Sequence, residues 1–189
     1  PPSKSYALEK ISQHKVDAHN FDPMYSFARG GLAQMWTGGS YPFNNDELSS
    51  YPFNYTDIEP CYSQIAKRIG INGLNDDLSP IVPLHKNLQK PLRLDKHSAF
   101  LLSRYEKKRN YFQKKLGCHL GRARQAVLSE DLGDRKACQY LGRCLWGCPT
   151  GSIYTPTTTL KECMQYPNFT YLPHRYVTHF EYNEQGHIN

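Results

Sequence analysis

The chain has 189 residues, of which 39% are hydrophobic, 13% aromatic and 21% charged. This length fits one domain or two small lobes, and no apolar run approaches the roughly 20 residues that a membrane helix needs. The composition therefore predicts a globular protein with no membrane span, and its six cysteines are too few for a disulfide scaffold. Neither an initiator Met nor a targeting segment is present at the start, so we expect the chain to begin inside something longer or after processing.

In chain order, the first predicted element is a helix over residues 57–70, where apolar residues recur at helical spacing. Thr56 is its expected N-cap and Gly70 its expected end. Residues 71–97 hold three prolines and an acidic pair, which predicts ordered loops or a linker.

The formal charge of +6 is concentrated in residues 86–124, which hold twelve Lys and Arg against two acidic residues. Within them, residues 98–116 alternate apolar and basic side chains at close to helical spacing, which predicts an amphipathic helix with a basic outer face. A solvated face, or a surface that neutralises phosphate or an acidic neighbour, explains such a helix better than nucleic-acid binding does. We therefore expect no nucleic-acid partner, and a basic nucleic-acid-binding domain stays as an alternative.

Near the C-terminus, residues 169–172 and 176–182 are rich in β-formers, and a turn is expected at residues 183–186. This pattern predicts a C-terminal β-hairpin. Together with the helices and the long loops it gives an α+β fold class.

Two segments stand out as candidates for chemistry. The first runs from Phe27 to Phe43 and contains two Gly-Gly pairs, at residues 30–31 and 38–39. Glycine permits positive φ and close approach of the backbone to a ligand, but spacing alone favours two tight turns. The chain has no G-x-G-x-x-G fingerprint, so an autonomous dinucleotide-binding domain is not supported.

The second segment contains Cys138, Cys144 and Cys148, with the last cysteine followed by proline. Gaps of five and three residues differ from the usual spacing of zinc and iron–sulfur ligands. A disulfide among these cysteines, or simply buried thiols, is the better interpretation, and we predict no metal ligands. The eight histidines and the serines form no known catalytic motif, so no catalytic residue is assigned.

The two segments together resemble the glucose–methanol–choline family of FAD-dependent oxidoreductases, and residues 30–43 are similar to the flavin-contacting segment of pyranose oxidase-like members. Residues 62–71, 92–98, 120–128 and 138–160 resemble successive parts of bacterial-type members in the expected order. The resemblance covers the chain from about Phe27 onward and is limited to the middle part of such an enzyme.

The resemblance implies three parts. Residues 1–50 would be a flavin-contacting segment of the FAD domain, residues 51–150 would be helical and loop elements of the cap or substrate domain, and residues 151–189 would be strands that return to the FAD domain. It implies oxidation of an alcohol or sugar hydroxyl, with loss of the hydroxyl proton to a base and hydride transfer to the flavin. That base belongs to a part of the family that this sequence does not contain, so the remaining FAD-domain sequence is expected in the same or another chain.

Carried over by position, the residues that would lie along the flavin are Gly30, Gly31, Met35, Trp36, Thr37 and Gly38. Covalently flavinylated relatives have a histidine where this chain has Met35, so the FAD would be held non-covalently. Trp36 would supply a packing surface, and the Thr37 hydroxyl would lie near the reactive edge of the ring. A cysteine-rich module that binds zinc or an iron–sulfur cluster remains an alternative function.

Overall fold

The structure is a computed structural model that describes residues 5–9 and 16–188. Its elements are four α-helices, three short 3-10 helices and connecting loops, and in the described part β-pairing is limited to isolated bridges. The α-helices are α1 (Tyr55–Ile69), α2 (Lys96–Lys107), α3 (Arg109–Leu116) and α4 (Pro156–Cys163), and the 3-10 helices are Ser5–Leu8, Gly31–Gln34 and Cys144–Trp146. No helix in this described part is both long enough and apolar enough to cross a membrane.

Helix α1 confirms the predicted helix and its end, but its N-cap is Asn54 instead of Thr56. The Asn54 side chain accepts a hydrogen bond from the Thr56 N–H at 2.9 Å, and Asp57 accepts one from the Asn54 N–H at 2.9 Å. This reciprocal pair is a capping box, which begins the helix one residue before Thr56. Gly70 ends the helix with φ 73°, and a Cβ at this position would lie 2.1 Å from the Leu128 side chain.

The predicted basic helix at residues 98–116 is wrong as a single element, because the chain breaks into α2 and α3 at Lys108. The Asp77 carboxylate contacts both helices across the break. It accepts hydrogen bonds from the Tyr105 hydroxyl on α2 and the Gln113 amide on α3, and it pairs with the Arg109 guanidinium at 3.0 Å. The lysines of both helices remain exposed, as the basic face requires.

The fold divides into two compact units, residues 1–156 and residues 157–189. The centre of the first unit is the segment of residues 122–128, here named the central segment. Gln125 forms antiparallel bridges to Gly39 and to Asn72, and Val127 forms one to Ile153. Residues 71–97 are mostly loop around these bridges, as the prolines predict.

The central segment has two faces because its backbone is extended. Arg124, Ala126 and Leu128 are completely buried on one face. Ala126 joins Ala66, Ile69 and Ile71 in the hydrophobic core, with Trp36, Leu88 and Tyr154 packed against it. The alternate residues Ala123, Gln125 and Val127 line the cleft described below, although Val127 is also buried.

Arg135 holds three pieces of the first unit together. Its guanidinium donates hydrogen bonds to the backbone carbonyls of Ile69 at 2.6 Å, Gly151 at 2.9 Å and Ser152 at 3.0 Å. The Ile69 carbonyl is at the C-terminal end of α1, where no later residue of the helix can donate to it. A buried arginine therefore supplies the hydrogen bonds that the helix end and the neighbouring loop lack.

Arg124 is buried equally well but lacks such partners. None of its three guanidinium nitrogens has a hydrogen-bond partner in the described part of the chain, and its stem fills the space that a side chain on Gly73 would need. Burial lowers the pKa of the Arg124 guanidinium, although Asp76 nearby acts in the opposite direction. An uncompensated buried charge of this kind costs several kcal/mol in the folded state.

In the second unit, the predicted strands at 169–172 and 176–182 are not formed, apart from one antiparallel bridge between Tyr182 and Ile188. The turn at residues 183–186 is present, and the Asn183 carbonyl accepts the Gly186 N–H at 2.9 Å. Strand formation needs a hydrogen-bonding neighbour. No such neighbour for residues 169–181 lies within the part of the chain that the structure describes, and these residues stay exposed.

The two buried arginines allow a matched test. We expect Arg135→Met to lower the free energy of unfolding by about 3 kcal/mol or more, because the Ile69 and Gly151 carbonyls lose the hydrogen bonds from Arg135 and the Ser152 carbonyl keeps only the one from the Leu128 N–H. We expect Arg124→Met to raise it, by about 1 kcal/mol or more, because a charge without hydrogen bonds is replaced by an apolar chain of similar length. Urea unfolding of both variants checks this pair, and an equal loss of stability in the two would contradict the hydrogen-bond assignment.

Candidate functional site

A cleft of about 480 Å³ lies on the outer side of the central segment. Its walls come from residues 91–95, from the outward face of residues 122–127 and from the 138–144 loop, with Thr37 and Asn72 between them. The volume is in the range of small-molecule sites, and the walls are mostly apolar. The cleft thus brings Thr37 of the glycine-containing segment together with Cys138 and Cys144 of the cysteine segment.

Thr37 is the one predicted flavin-contacting residue that lines this cleft. It is exposed, and its hydroxyl forms no hydrogen bond within the described part of the chain. The adjacent backbone is fixed, because the Ala126 N–H donates to the Gly38 carbonyl at 2.7 Å and the Ser40 N–H donates to the Arg124 carbonyl at 2.9 Å. A hydroxyl with free bonding capacity is therefore held in place at the cleft wall.

The Trp36 side chain packs against the protein interior and not against the cleft. Its indole N–H donates to the Tyr154 carbonyl at 2.7 Å, and the two rings meet edge to face with centroids 6.4 Å apart. The ring also packs against the buried core. The side chain that was expected to supply a packing surface for the flavin is thus engaged with the protein interior and does not line the cleft.

Of the two tight turns that the spacing favours, the structure forms the one at Gly30 and Gly31, whereas Gly39 of the second pair forms a β-bridge to Gln125. Gly30 and Gly31 both have positive φ, 89° and 59°, at the start of the Gly31–Gln34 3-10 helix, and Met35 ends that helix. Gly38 has φ 80°, and a Cβ there would lie 3.2 Å from the Val127 side chain. Gly30, Gly31, Met35 and Gly38 are not among the residues that line the cleft.

An arginine and a tyrosine from distant parts of the sequence meet at the cleft. The backbone N–H of Arg93 donates to the Tyr140 hydroxyl at 2.8 Å, and the guanidinium of Arg93 lies 4.6 Å from the centre of the Tyr140 ring. Tyr140 has φ 57°, a conformation that costs a residue with a Cβ about 1 kcal/mol or more. Contact with Arg93 helps to hold the 138–144 loop in this conformation.

The sequence interpretation missed this pair. Arg93 belongs to the basic stretch that was interpreted as a solvated surface. Tyr140 lies between Cys138 and Cys144, and only the cysteines of that segment were considered as functional residues. Residues 123–128 give no signal either, because their sequence, Ala-Arg-Gln-Ala-Val-Leu, does not alternate between apolar and polar residues.

The three cysteines of the second segment line one small cavity of about 30 Å³, and all of the chain's cysteines are free thiols. Of the two interpretations left open, the structure has thiols and not a disulfide, but these thiols are not fully buried: Cys138 and Cys148 are half-buried and Cys144 is exposed. Burial raises the pKa of the Cys144 thiol, and the neighbouring Cys138 and Cys148 add to this effect.

Cys148 behaves differently from Cys144. Burial acts to raise the pKa of its thiol, but hydrogen bonds from the Thr150 side chain and from the backbone of Ile153 and Thr150 outweigh burial and bring this pKa to about 7. The sulfur lies 3.3 Å from the Thr150 hydroxyl, which is 2.7 Å from the Ser152 hydroxyl. Ser152 donates its hydroxyl proton to the Lys136 carbonyl at 2.8 Å, so the single proton of the Thr150 hydroxyl is shared between two acceptors, the Ser152 oxygen and the Cys148 sulfur.

A metal site receives no support from side-chain geometry. Among residues 5–9 and 16–188, no group of three or more His, Cys, Asp or Glu side chains could hold a metal ion. The cysteines share a cavity without meeting this requirement.

Comparison with known proteins adds no assignment: no protein-family profile matches the chain, and no curated protein is significantly similar to it. The interpretation of the cleft rests on its own residues.

Cys148 should be the more reactive of the two neighbouring thiols. We expect its alkylation by iodoacetamide to rise with a midpoint near pH 7, because only the thiolate reacts. The midpoint for Cys144 should lie above the ordinary range for a thiol, since its pKa is raised. Peptide mass spectrometry across pH resolves the two sites, and Thr150→Val should move the Cys148 midpoint upward. A Cys148 midpoint that matches that of Cys144 would contradict the hydrogen-bond network.

Proposed function

We propose that this chain is part of an FAD-dependent oxidoreductase of the glucose–methanol–choline type, which oxidises a hydroxyl group by hydride transfer to a non-covalently bound flavin. The observation that carries the proposal is the cleft itself. It joins an unbonded Thr37 hydroxyl from the flavin-contact-like segment to residues 138–144, the other segment on which the resemblance rests. These segments are about a hundred residues apart in the sequence, so their meeting at one small-molecule cleft is not a consequence of local structure.

The fit of the flavin to these residues can be judged at Thr37. A ring edge needs an uncommitted polar group on a fixed backbone, and Thr37 provides one beside the buried Gly38. When bound, FAD supplies the acceptor for the hydride. Thr37 would donate a hydrogen bond to the ring edge, and the cleft that Thr37 lines would receive the substrate, an alcohol or a sugar.

The finer fold assignment belongs to the same proposal. The middle part of an FAD domain with a returning β-hairpin would need strands from the rest of that domain, in this chain's full protein or in another chain. Support comes from the unpaired segment of the second unit, where Leu172, Val177 and Phe180 are each at least 60% exposed. Apolar side chains on an unpaired extended backbone are what a strand presents before its neighbour is added.

The absorbance spectrum of the full protein tests the flavin proposal. We expect flavin absorbance in the blue region of the visible spectrum. Acid precipitation should release the yellow flavin into the supernatant, because no covalent bond attaches the flavin to the protein. Thr37→Val should keep the flavin but slow its reduction by substrate about tenfold or more, through loss of one hydrogen bond at the ring edge. The control is Thr170→Val, the same change at an exposed position in the second unit.

A full-length protein that binds no flavin when supplied with FAD would contradict the proposal. Equal rates of flavin reduction in the Thr37 and Thr170 variants would contradict the role of Thr37 while leaving the flavin assignment in place.

A second candidate function is favoured by one observation, the convergence of Cys138, Cys144 and Cys148 on a single small cavity. Thiolates are ligands of zinc and of iron–sulfur clusters. The absence of a coordinating group among the described residues weighs against this candidate, so it ranks below the flavoenzyme.

Metal analysis separates the two candidates. Under the flavoenzyme proposal with free cysteines, we expect less than about one tenth of an equivalent of zinc, iron or acid-labile sulfide per chain in anaerobically purified protein, and three alkylatable thiols in the 138–148 segment. Stoichiometric metal that is lost in a Cys144→Ser variant would establish the second candidate. A Cys61→Ser variant, with an exposed cysteine on α1, is the control.

A further inference from the structure

Two arginines and one carboxylate line the cleft, so the charge of its lining is net positive. Arg93 and Arg122 both line it. The Arg122 guanidinium donates to the Leu92 backbone carbonyl, and that of Arg93 lies over the Tyr140 ring. Neither guanidinium forms an ion pair with any residue that the structure describes. Each retains donors that can bind an anion.

The one acidic residue at the cleft is already engaged. Asp95 is the N-cap of α2, and its carboxylate accepts hydrogen bonds from the His97 N–H at 2.8 Å, the Ser98 N–H at 3.0 Å and the Ser98 hydroxyl at 2.6 Å. These bonds lower the pKa of the Asp95 carboxyl, with the Ser98 side chain as the largest cause. Because its oxygens face the helix end, Asp95 does not serve as the counterion of the two arginines.

The remaining walls indicate what kind of anion would fit. Residues such as Pro91, Leu94 and Val127 make most of the cleft surface apolar, and the Tyr140 ring provides a flat face. Such walls favour an apolar or aromatic body, and a guanidinium matches a carboxylate in charge and in planar geometry. We propose that the cleft binds an organic monocarboxylate, with its carboxylate held by Arg93 and Arg122 and its body against the apolar walls.

This inference deepens the proposed function and, as a statement about the substrate, rests on it. The oxidised molecule would be a hydroxy acid instead of a neutral alcohol or sugar. The anion site itself depends only on the cleft, so binding can be measured separately from any flavin chemistry.

The test compares benzoate with benzamide, two flat molecules of nearly equal size that differ in charge. Binding to the full protein is measured by isothermal titration calorimetry at low ionic strength. We expect benzoate to bind about tenfold or more tightly than benzamide, because a charge-assisted hydrogen bond contributes about one factor of ten. Arg122→Gln and Arg93→Gln should each remove most of this preference. Arg104→Gln on α2, an exposed arginine that also lies over an aromatic ring, should leave it unchanged.

Equal binding of benzoate and benzamide, or an equal loss of benzoate binding in all three variants, would overturn the proposal. Tighter binding of phenyl phosphate than of benzoate would overturn the choice of a carboxylate. Benzoate preference in a protein that binds no flavin would support the anion site and contradict the proposed function, so the two failures are distinguishable. Circular dichroism of each variant confirms that a loss of binding is not a loss of folding.

Discussion

The first unit depends on the hydrogen bonds that Arg135 gives to three backbone carbonyls. With few β-pairings and short helices, much of its backbone lacks a regular partner, and buried carbonyls without donors are costly. Arg135 meets this need at the end of α1 and at residues 151–152 at the same time. The adjacent segment, residues 152–154, then pairs with the central segment, which forms the cleft on its other face.

Much of the helical structure follows from the sequence because its causes are local. The apolar spacing and Gly70 define α1, and the error at its cap arose because Asn54 and Thr56 are both good capping residues. The break at Lys108 was not predicted, because the apolar and basic residues keep close to helical spacing through it, and the contacts of both helices with Asp77, about thirty residues earlier, are not visible in the local pattern. Similarly, the β-forming residues at 169–182 have a preference for extended backbone, but they form a strand only when another strand is present to pair with them.

The candidate site likewise contains residues that the sequence pointed to and residues that it did not. Thr37 was predicted as a flavin contact because its segment resembles a flavin-contacting segment. The spacing of the glycines alone predicts only two tight turns. The contact between Arg93 and Tyr140 spans 47 residues, and nothing in either neighbourhood announces it. Trp36 shows the opposite difficulty, since an aromatic residue in a glycine-rich segment suggests a ligand platform, while its indole in fact bonds to the Tyr154 carbonyl.

The alternation of residues in the central segment also limits how the length of the preceding loop can vary. From Ala123 to Leu128, residues that line the cleft alternate with residues that are completely buried, so inserting or deleting one residue between Leu120 and Arg124 would exchange the two sets unless the loop absorbed it. Ala126 would then leave the core and a polar Gln125 would enter it. The surrounding loop is irregular and partly exposed, yet its length should be far less free to vary than its composition.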